Sequence, residues 1–344
     1  MQFKTAPAPH AAPAVSVPLV MRRVLYALAP AALVHSWFFG FGFLLNFVTA
    51  AIAALAVEAT VLRLRRRRTR RALRDGSALV TAALLVFGIP PLVPWWIPAL
   101  GAAVAVLLGK HLYGGLGRNL FNPAMVGYVF LLISFPMEMT QWVPPRMGDI
   151  DYQHLSFPAH LRYSLTGELP ANVDIDALTR ATPLDTVREG IRAGSSFAQT
   201  RTGSLFGDFG GRGWEWVNNF IALGGLYLLY TTTIRWHIPA AVLAGVLVPA
   251  LVLNLLDPAR FAPASFHLFS GATILGAFFI ATDPVSAATT DRGRLIYGAA
   301  IGVLTYVIRT WGGYPDGFAF AVLMMNAAVP LIDRFTRTRI YGRR

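Results

Sequence analysis

Val24-Leu-Tyr-Ala-Leu-Ala-Pro-Ala-Ala-Leu-Val-His-Ser-Trp-Phe-Phe-Gly-Phe-Gly-Phe-Leu-Leu-Asn-Phe-Val-Thr-Ala-Ala-Ile-Ala-Ala-Leu-Ala-Val-Glu-Ala-Thr-Val-Leu62 runs for 39 residues without a Lys, Arg or Asp. As one helix it would be roughly 58 Å long at about 1.5 Å per residue, nearly twice a bilayer core of about 30 Å. Two membrane helices joined by a tight turn near Phe39-Gly40-Phe41-Gly42 fit this stretch. One helix does not. The fold class that follows is an all-α polytopic membrane protein.

The rest of the chain agrees. Of its 344 residues, 55% are hydrophobic and 14% charged, outside the range of an ordinary soluble domain. Further apolar segments lie at 77–92, 95–110, 124–140, 215–233, 238–256, 264–281, 295–309 and 318–332, making ten spans in all. Several fall short of the ~20 residues of a clean span and are broken by Pro or Gly, as at Ile89-Pro90-Pro91 and Gly312-Gly313-Tyr314-Pro315. Five spans precede a long polar segment and five follow it. Odd numbers place the halves in opposite orientations, the arithmetic of an inverted repeat. The expected organisation is a cytoplasmic N-terminal segment (1–23), a first membrane half (24–140), an external loop (141–214), a second half (215–333) and a basic cytoplasmic tail (334–344). Arg22-Arg23 precedes an apolar stretch far longer than the h-region of a signal peptide, which predicts an uncleaved first helix.

The formal net charge of +13 would suggest nucleic acid in a soluble protein. Here its distribution gives a better reason. Arginines 63, 65, 66, 67, 68, 70, 71 and 74 crowd the connection after the second span, and Lys110, Arg118, Arg235, Arg292, Arg294 and the tail arginines follow even-numbered spans. All of these fall on one side if ten spans alternate, as the positive-inside rule requires. Topology accounts for the charge without nucleic acid; anionic lipid or an acidic protein partner is the secondary reading. Both termini are then cytoplasmic, in a cell inner membrane. The loop 141–214, with eight acidic against seven basic residues, is periplasmic in a Gram-negative host.

That loop holds Asp176-Ala-Leu-Thr179-Arg-Ala181-Thr182-Pro183-Leu184-Asp185. A threonine hydroxyl is a weak nucleophile, so modifying it calls for a transferase that reads the surrounding sequence. Asp176, Thr179 and Ala181 flank Thr182 with the D-x-x-[ST]-x-A-T spacing that flavin transferases recognise. Three further stretches stand out: Gly114 to Phe130 (GGLGRNLFNPAMVGYVF), Ala281 to Ala288 (ATDPVSAA), and Arg309 to Phe320 (RTWGGYPDGFAF) with Asn326 after it. Together with Ala181-Thr-Pro-Leu-Asp185, these resemble the D-type subunits of Rnf ion-translocating electron-transport complexes over nearly the whole chain. They also resemble, more distantly, the B-type subunits of Na+-translocating NADH:quinone reductases. The resemblance implies FMN joined to Thr182 by a phosphoester bond. It also implies a second, non-covalent flavin near the cytoplasmic face, other subunits of an Rnf-like complex as partners, a flavin transferase for maturation, and electron transfer coupled to Na+ or H+ movement. FMN suits such a relay because it interconverts one- and two-electron transfers, while the protein holds and tunes the ring. The sequence departs from the fuller D-G-x-[ST]-G-A-T pattern, with Ala177 and Arg180 in place of the glycines.

Other polar residues carry weaker signals. Asn122-Pro123 and Asp283-Pro284 interrupt the apolar pattern on the cytoplasmic side. Proline frees a backbone carbonyl that the neighbouring side chain can satisfy, or that can line a cofactor or ion site. Glu58 inside the second span is either part of an ion path or a partner for the arginines beyond it. Gly207-Asp-Phe-Gly-Gly-Arg-Gly213 is a candidate for close approach to a phosphate, with a plain flexible loop as the alternative. His35, His111, His237 and His267 form no pair at metal-ligand spacing. Without cysteine the chain cannot hold an iron–sulfur cluster on its own thiolates, and without a nucleotide fingerprint it is not expected to oxidise NADH alone. The competing readings are a solute channel or transporter and a non-redox membrane anchor. Neither calls for flavin on Thr182.

Overall fold

The computed structural model describes residues 16–147, 155–170, 173–314 and 316–337. The first fifteen residues, the loop acids Asp149 and Asp151, Pro315 and the tail beyond 337 lie outside the described residues. The 39-residue run forms two helices, α1 (Val17–Phe39) and α2 (Gly42–Leu64), with Gly40 at φ +88° closing the first. A turn at that φ needs a residue without Cβ strain.

α3 (Ser77–Val86), α4 (Trp96–His111) and α5 (Pro123–Ser134) complete the first set. After the loop, which carries α6 (Pro183–Arg192), the chain forms α7 (Trp214–Tyr230), α8 (His237–Leu256) and α9 (Ala264–Phe269). It ends with α10 (Asp291–Trp311) and α11 (Phe318–Thr336). Among the described residues there is no strand, only isolated bridges at Trp142–Arg180 and Phe206–Gly211. The protein is an all-helical membrane protein. Large apolar side chains on the helix exteriors, such as Leu33 at 68% and Trp37 at 77% exposure, need lipid rather than water against them.

Every expected apolar segment contains helix, but among the described residues only α1, α2, α8 and α11 are long and apolar enough to cross a bilayer by themselves. The others are shortened for identifiable reasons. α3 stops at Val86 because Pro90 and Pro91 cannot continue it, and the irregular backbone is satisfied by side chains instead. Asn46 Nδ2 donates to Pro90 O at 3.0 Å, and His160 Nε2 lies 3.1 Å from Pro91 O. Pro136 ends α5, and a five-residue helix (Pro136–Thr140) follows. The segment 264–281 breaks at Gly271 (φ +71°), resumes at Thr273–Leu275 and finishes as a π-turn, Gly276–Ile280; α4 likewise ends in a π-helical stretch, Ala105–His111.

Within the first set α2 packs on α4; within the second, α8 packs on α10. Across the seam α1 meets α7, and α5 meets α11. The α8–α10 contact is made through small residues. A Cβ at Gly302 would stand 2.7 Å from the Cα of Gly245, and one at Gly298 would stand 2.9 Å from the Ala241 methyl and Ile238 O. With lipid on both outer faces, such close approach is what dispersion forces need to hold two membrane helices together. Gly302→Val is therefore expected to cost about 1–3 kcal/mol by overpacking. A lower midpoint for heat-induced loss of the monodisperse peak in detergent reads this out; an unchanged midpoint would refute the packing argument.

The buried Glu58 does not take the partner that the sequence suggested for it. Glu58 is 1% exposed and pairs with Lys110 rather than with the arginines beyond α2. Lys110 also donates to Ser77 Oγ at 2.7 Å, and His111 Nε2 lies 3.7 Å from the carboxylate. Glu58 faces α4 across the helix pair, so the nearest cation comes from α4 and not from its own helix end.

Candidate functional site

The threonine motif is a helix start. Arg180 N donates to Trp142 O at 2.8 Å, which holds the chain extended up to Thr182. Pro183 then opens α6 at the one position where a missing N–H costs nothing. Thr182 is the N-cap: its Oγ1 accepts from Asp185 N at 3.2 Å and its hydroxyl donates to Asp185 Oδ2 at 2.7 Å. Thr182 and Asp185 thus bond to each other twice through the one hydroxyl, an N-cap reinforced by the carboxylate. Burial pushes the Asp185 carboxyl above its usual range, against the hydrogen bond from Thr182 and the nearby Arg188 guanidinium. The native state therefore binds this proton more tightly than the unfolded chain does, and the stability it contributes is full below pH 3.8 and lost as pH rises through the native pKa. Relative to Asp185→Asn, wild type is expected to lose ground in unfolding temperature as pH rises above the ordinary carboxylate value of 3.8. A difference independent of pH would contradict this.

α6 is held from both sides. Leu184 and Val187 pack with Phe197, Phe206, Ala262 and Phe266 in a small apolar cluster. Arg188 Nη1 and Arg192 Nη2 donate to the carbonyls of Gly313 (2.6 Å) and Gly312 (2.7 Å) at the end of α10. Of the flanking residues, Asp176 and Ala181 are exposed, whereas Thr179 is buried and donates to Ile175 O at 3.0 Å.

Thr182, Pro183 and Asp185 border a cavity of about 1110 Å³ between the two helix sets, counting its open mouth. Trp142, Trp214, Tyr128 and Phe318 supply aromatic walls, and Asn218, Ser270 and Asp316 supply polar groups. The Trp142 and Trp214 rings meet edge-on at 5.0 Å. Ser270 is 1% exposed and its hydroxyl has no hydrogen-bond partner, so a buried polar atom awaits one. Asp316 is tied down: it accepts from Arg309 at 3.1 Å, Ala272 N at 2.7 Å and Phe318 N at 3.1 Å. The floor depends on Gly271, where a Cβ would lie 2.6 Å from Leu184 Cδ1. A mostly apolar pocket with a few convergent polar groups is the usual form of a cofactor site. Sequence reasoning missed Asn218, Ser270 and Asp316, because only the folding of distant segments brings them to Thr182.

The two Asx-Pro elements come together at the far end of the helices. Asn122 caps α5 by accepting from Met125 N at 3.3 Å, and its Nδ2 donates at 3.1 Å to Ile280 O, the carbonyl four residues before Pro284. Asp283 accepts from Asn119 Nδ2 at 3.3 Å and Ser286 Oγ at 2.8 Å. Asn119, Asn122, Asp283 and Lys110 line a second cavity with Phe278 and Phe279. Asn326 joins this network, accepting from Asn122 N at 3.1 Å and donating to Ser286 O at 3.1 Å.

Two amides of the Gly207–Gly213 segment are already taken by a carboxylate of the chain itself. Phe209 N donates to Glu215 Oε1 at 2.7 Å, and Gly210 N donates to the same oxygen. The chain's own carboxylate occupies the position considered for the anion.

A model of the NQR2, RnfD, RnfE family matches residues 4–342. The chain is 50% identical over 347 residues to the D subunit of the ion-translocating oxidoreductase complex of Aeromonas salmonicida (strain A449), covering 99% of each chain. It is 49% identical over 348 residues to the protein of that name in Vibrio cholerae serotype O1 (strain ATCC 39541), covering 99% of this chain and 100% of the relative. With the Klebsiella pneumoniae (strain 342) protein of that name it shares 48% identity over 352 residues, covering 100% of both. The chain belongs to the NQR2, RnfD, RnfE family.

Proposed function

We propose that this chain is the flavin-bearing membrane subunit of an ion-translocating oxidoreductase complex, with FMN joined covalently to Thr182. The observation that carries the reading is the placement of the Thr182 hydroxyl: half-buried, bonded to Asp185 and at the edge of the cavity between the helix sets. The residues fit the group. Trp142, Trp214 and Tyr128 offer aromatic faces to an isoalloxazine, and Ser270 and Asn218 offer polar atoms to its heteroatom edge. Asp185 Oδ2 is positioned to take the hydroxyl proton as Oγ1 would displace the leaving group from the phosphorus of an activated flavin phosphate supplied by the transferase. The leaving group departs with the transferase, and burial raises the carboxylate's affinity for the proton. FMN would supply the one- and two-electron redox chemistry; the chain holds the ring, excludes water and sets the surrounding charge.

The wider assignment rests on the family and on the names of its relatives. Partner subunits deliver and remove the electrons, Na+ or H+ moves across the membrane, and the isolated chain does not turn over NADH or ferredoxin. Two inverted five-helix halves, both termini cytoplasmic and the 141–214 loop periplasmic, agree with the arginine distribution and with the pairing of α2–α4 and α8–α10. The cavity at Asn122 and Asp283 is the candidate seat of a second, non-covalent flavin or of the ion path, and Glu58 with Lys110 the alternative station on that path.

In-gel flavin fluorescence of the denatured chain, co-expressed with a flavin transferase, tests the central assignment. Fluorescence at the mass of this chain, mapped by peptide mass spectrometry to Thr182, supports it. A dark band from a chain that has met an active transferase overturns it.

A further inference from the structure

A third cavity of about 1430 Å³, again counting its mouth, lies behind α6. It is walled by α6, by the turn after α8 and by the end of α10, and Arg188, Arg192, Arg260 and Arg309 line it without any Asp or Glu among the lining residues. Two of these cations are partly offset from outside the lining, Arg309 by Asp316 at 3.1 Å and Arg188 by Asp185 at 3.6 Å. Arg192 makes one bond, to Gly312 O, and Arg260 is exposed with its guanidinium 5.8 Å from the Phe261 ring centre. His267 is 7% exposed and Tyr306 1% exposed; His267 Nδ1 and the Tyr306 hydroxyl both lack a hydrogen-bond partner. Buried polar atoms of this kind are normally satisfied, and here they border a space rimmed by guanidinium groups.

We infer that this cavity binds the phosphate of an anionic phospholipid. Guanidinium groups match phosphate oxygens in pairs, and the unpartnered imidazole and phenol add neutral contacts deeper in the pocket. Lipid is favoured over a soluble phosphate by what surrounds the mouth. α8 ends there at Leu255 and Leu256, exposed at 73% and 74%, and Trp311 stands 53% exposed at the rim, as aromatic residues do at the headgroup level. Val187, Ile191, Phe261 and Phe266 supply an apolar lining for the glycerol and upper acyl carbons. The site is separate from the Thr182 cavity and does not depend on flavin being present.

Native mass spectrometry of the purified chain in detergent, with added phosphatidylglycerol, phosphatidylcholine or inorganic phosphate, tests the inference. Wild type should retain phosphatidylglycerol about tenfold more strongly than phosphatidylcholine, a preference that Arg192→Gln combined with Arg260→Gln removes. Arg260→Gln alone, which removes no hydrogen bond in the structure, should reduce the preference while leaving the thermal midpoint unchanged. Equal retention of the two lipids by wild type overturns the proposal, as does an unaltered preference in the double variant. Saturation by inorganic phosphate with no lipid preference would overturn the lipid assignment and assign the cavity to a soluble anion.

Discussion

Exchanging Thr182 for alanine is expected to abolish covalent flavin on this chain while leaving the chain folded. The hydroxyl is the only atom removed that could carry the phosphoester, so the loss should be complete. The structural cost is that of an N-cap, about 1 kcal/mol, because Asp185 N and Oδ2 both lose their partner. α6 keeps its apolar cluster and its two arginine bonds to Gly312 and Gly313, so it should stay in place. Thr182→Ser retains both the cap and an acceptor hydroxyl and should keep detectable fluorescence. Asp185→Asn keeps an oxygen beside Thr182 and removes the base, so flavin incorporation should slow more than tenfold, while stability differs from wild type only in its dependence on pH. A Thr182→Ala chain that fluoresces as brightly as wild type would move the attachment elsewhere. An Asp185→Asn chain that loads at the wild-type rate would leave proton removal wholly to the transferase.

The largest stability loss should come from Arg309→Met. Arg309 is buried among Asp316, His267 O and Thr273 Oγ1, with bonds of 2.8 Å to each of the last two. Removing the guanidinium leaves Asp316 charged in a low-dielectric corner, a loss of roughly 3–5 kcal/mol. The corner is also the floor of the cavity at Thr182, since Asp316 fixes the backbone at Ala272 and Phe318. Thermal unfolding followed by size-exclusion chromatography should show a midpoint lowered by several degrees, and flavin loading should fall with it. Adding Asp316→Asn neutralises the stranded charge but keeps an acceptor for both amides, so the double variant should recover part of the loss. A double variant as unstable as the single one would show that the lost donors to His267 and Thr273, not the unpaired carboxylate, set the cost.

How much of this was legible in the sequence depends on the range of the interaction. The hairpin of α1 and α2 could be read from length alone, because no bilayer accommodates 39 apolar residues as one span. In the sequence Thr182-Pro183-Leu184-Asp185 is only a motif in a polar loop; the structure makes it a helix start, where cap, proline and carboxylate act within one turn. Pro284 was expected to leave a carbonyl to the polar side chain beside it, Asp283; the Ile280 carbonyl instead takes the Asp283 backbone N–H and, from 158 residues away, the Asn122 amide. What sequence could not give is which distant groups meet. Glu58 has arginines within a turn or two along the chain, yet α2 turns it toward Lys110, 52 residues away. The glycine-rich segment has the composition of a phosphate loop, and only the course of the chain reveals that Glu215 fills it. The breaks within 264–281 likewise follow from tertiary demands: Gly271 turns there to let Leu184 approach.

The residues from Arg180 to Arg192 have a mechanical consequence of their own. At one end Arg180 N is fastened to Trp142 O, in the segment that leaves the first helix set. At the other, Arg188 and Arg192 are fastened to Gly313 and Gly312, in the second. This short stretch is a strap across the seam, with Thr182 between its two buckles. Any rocking of one helix set against the other must stretch the strap, slip a buckle or carry Thr182 along, so the threonine sits where relative movement of the halves is felt most directly.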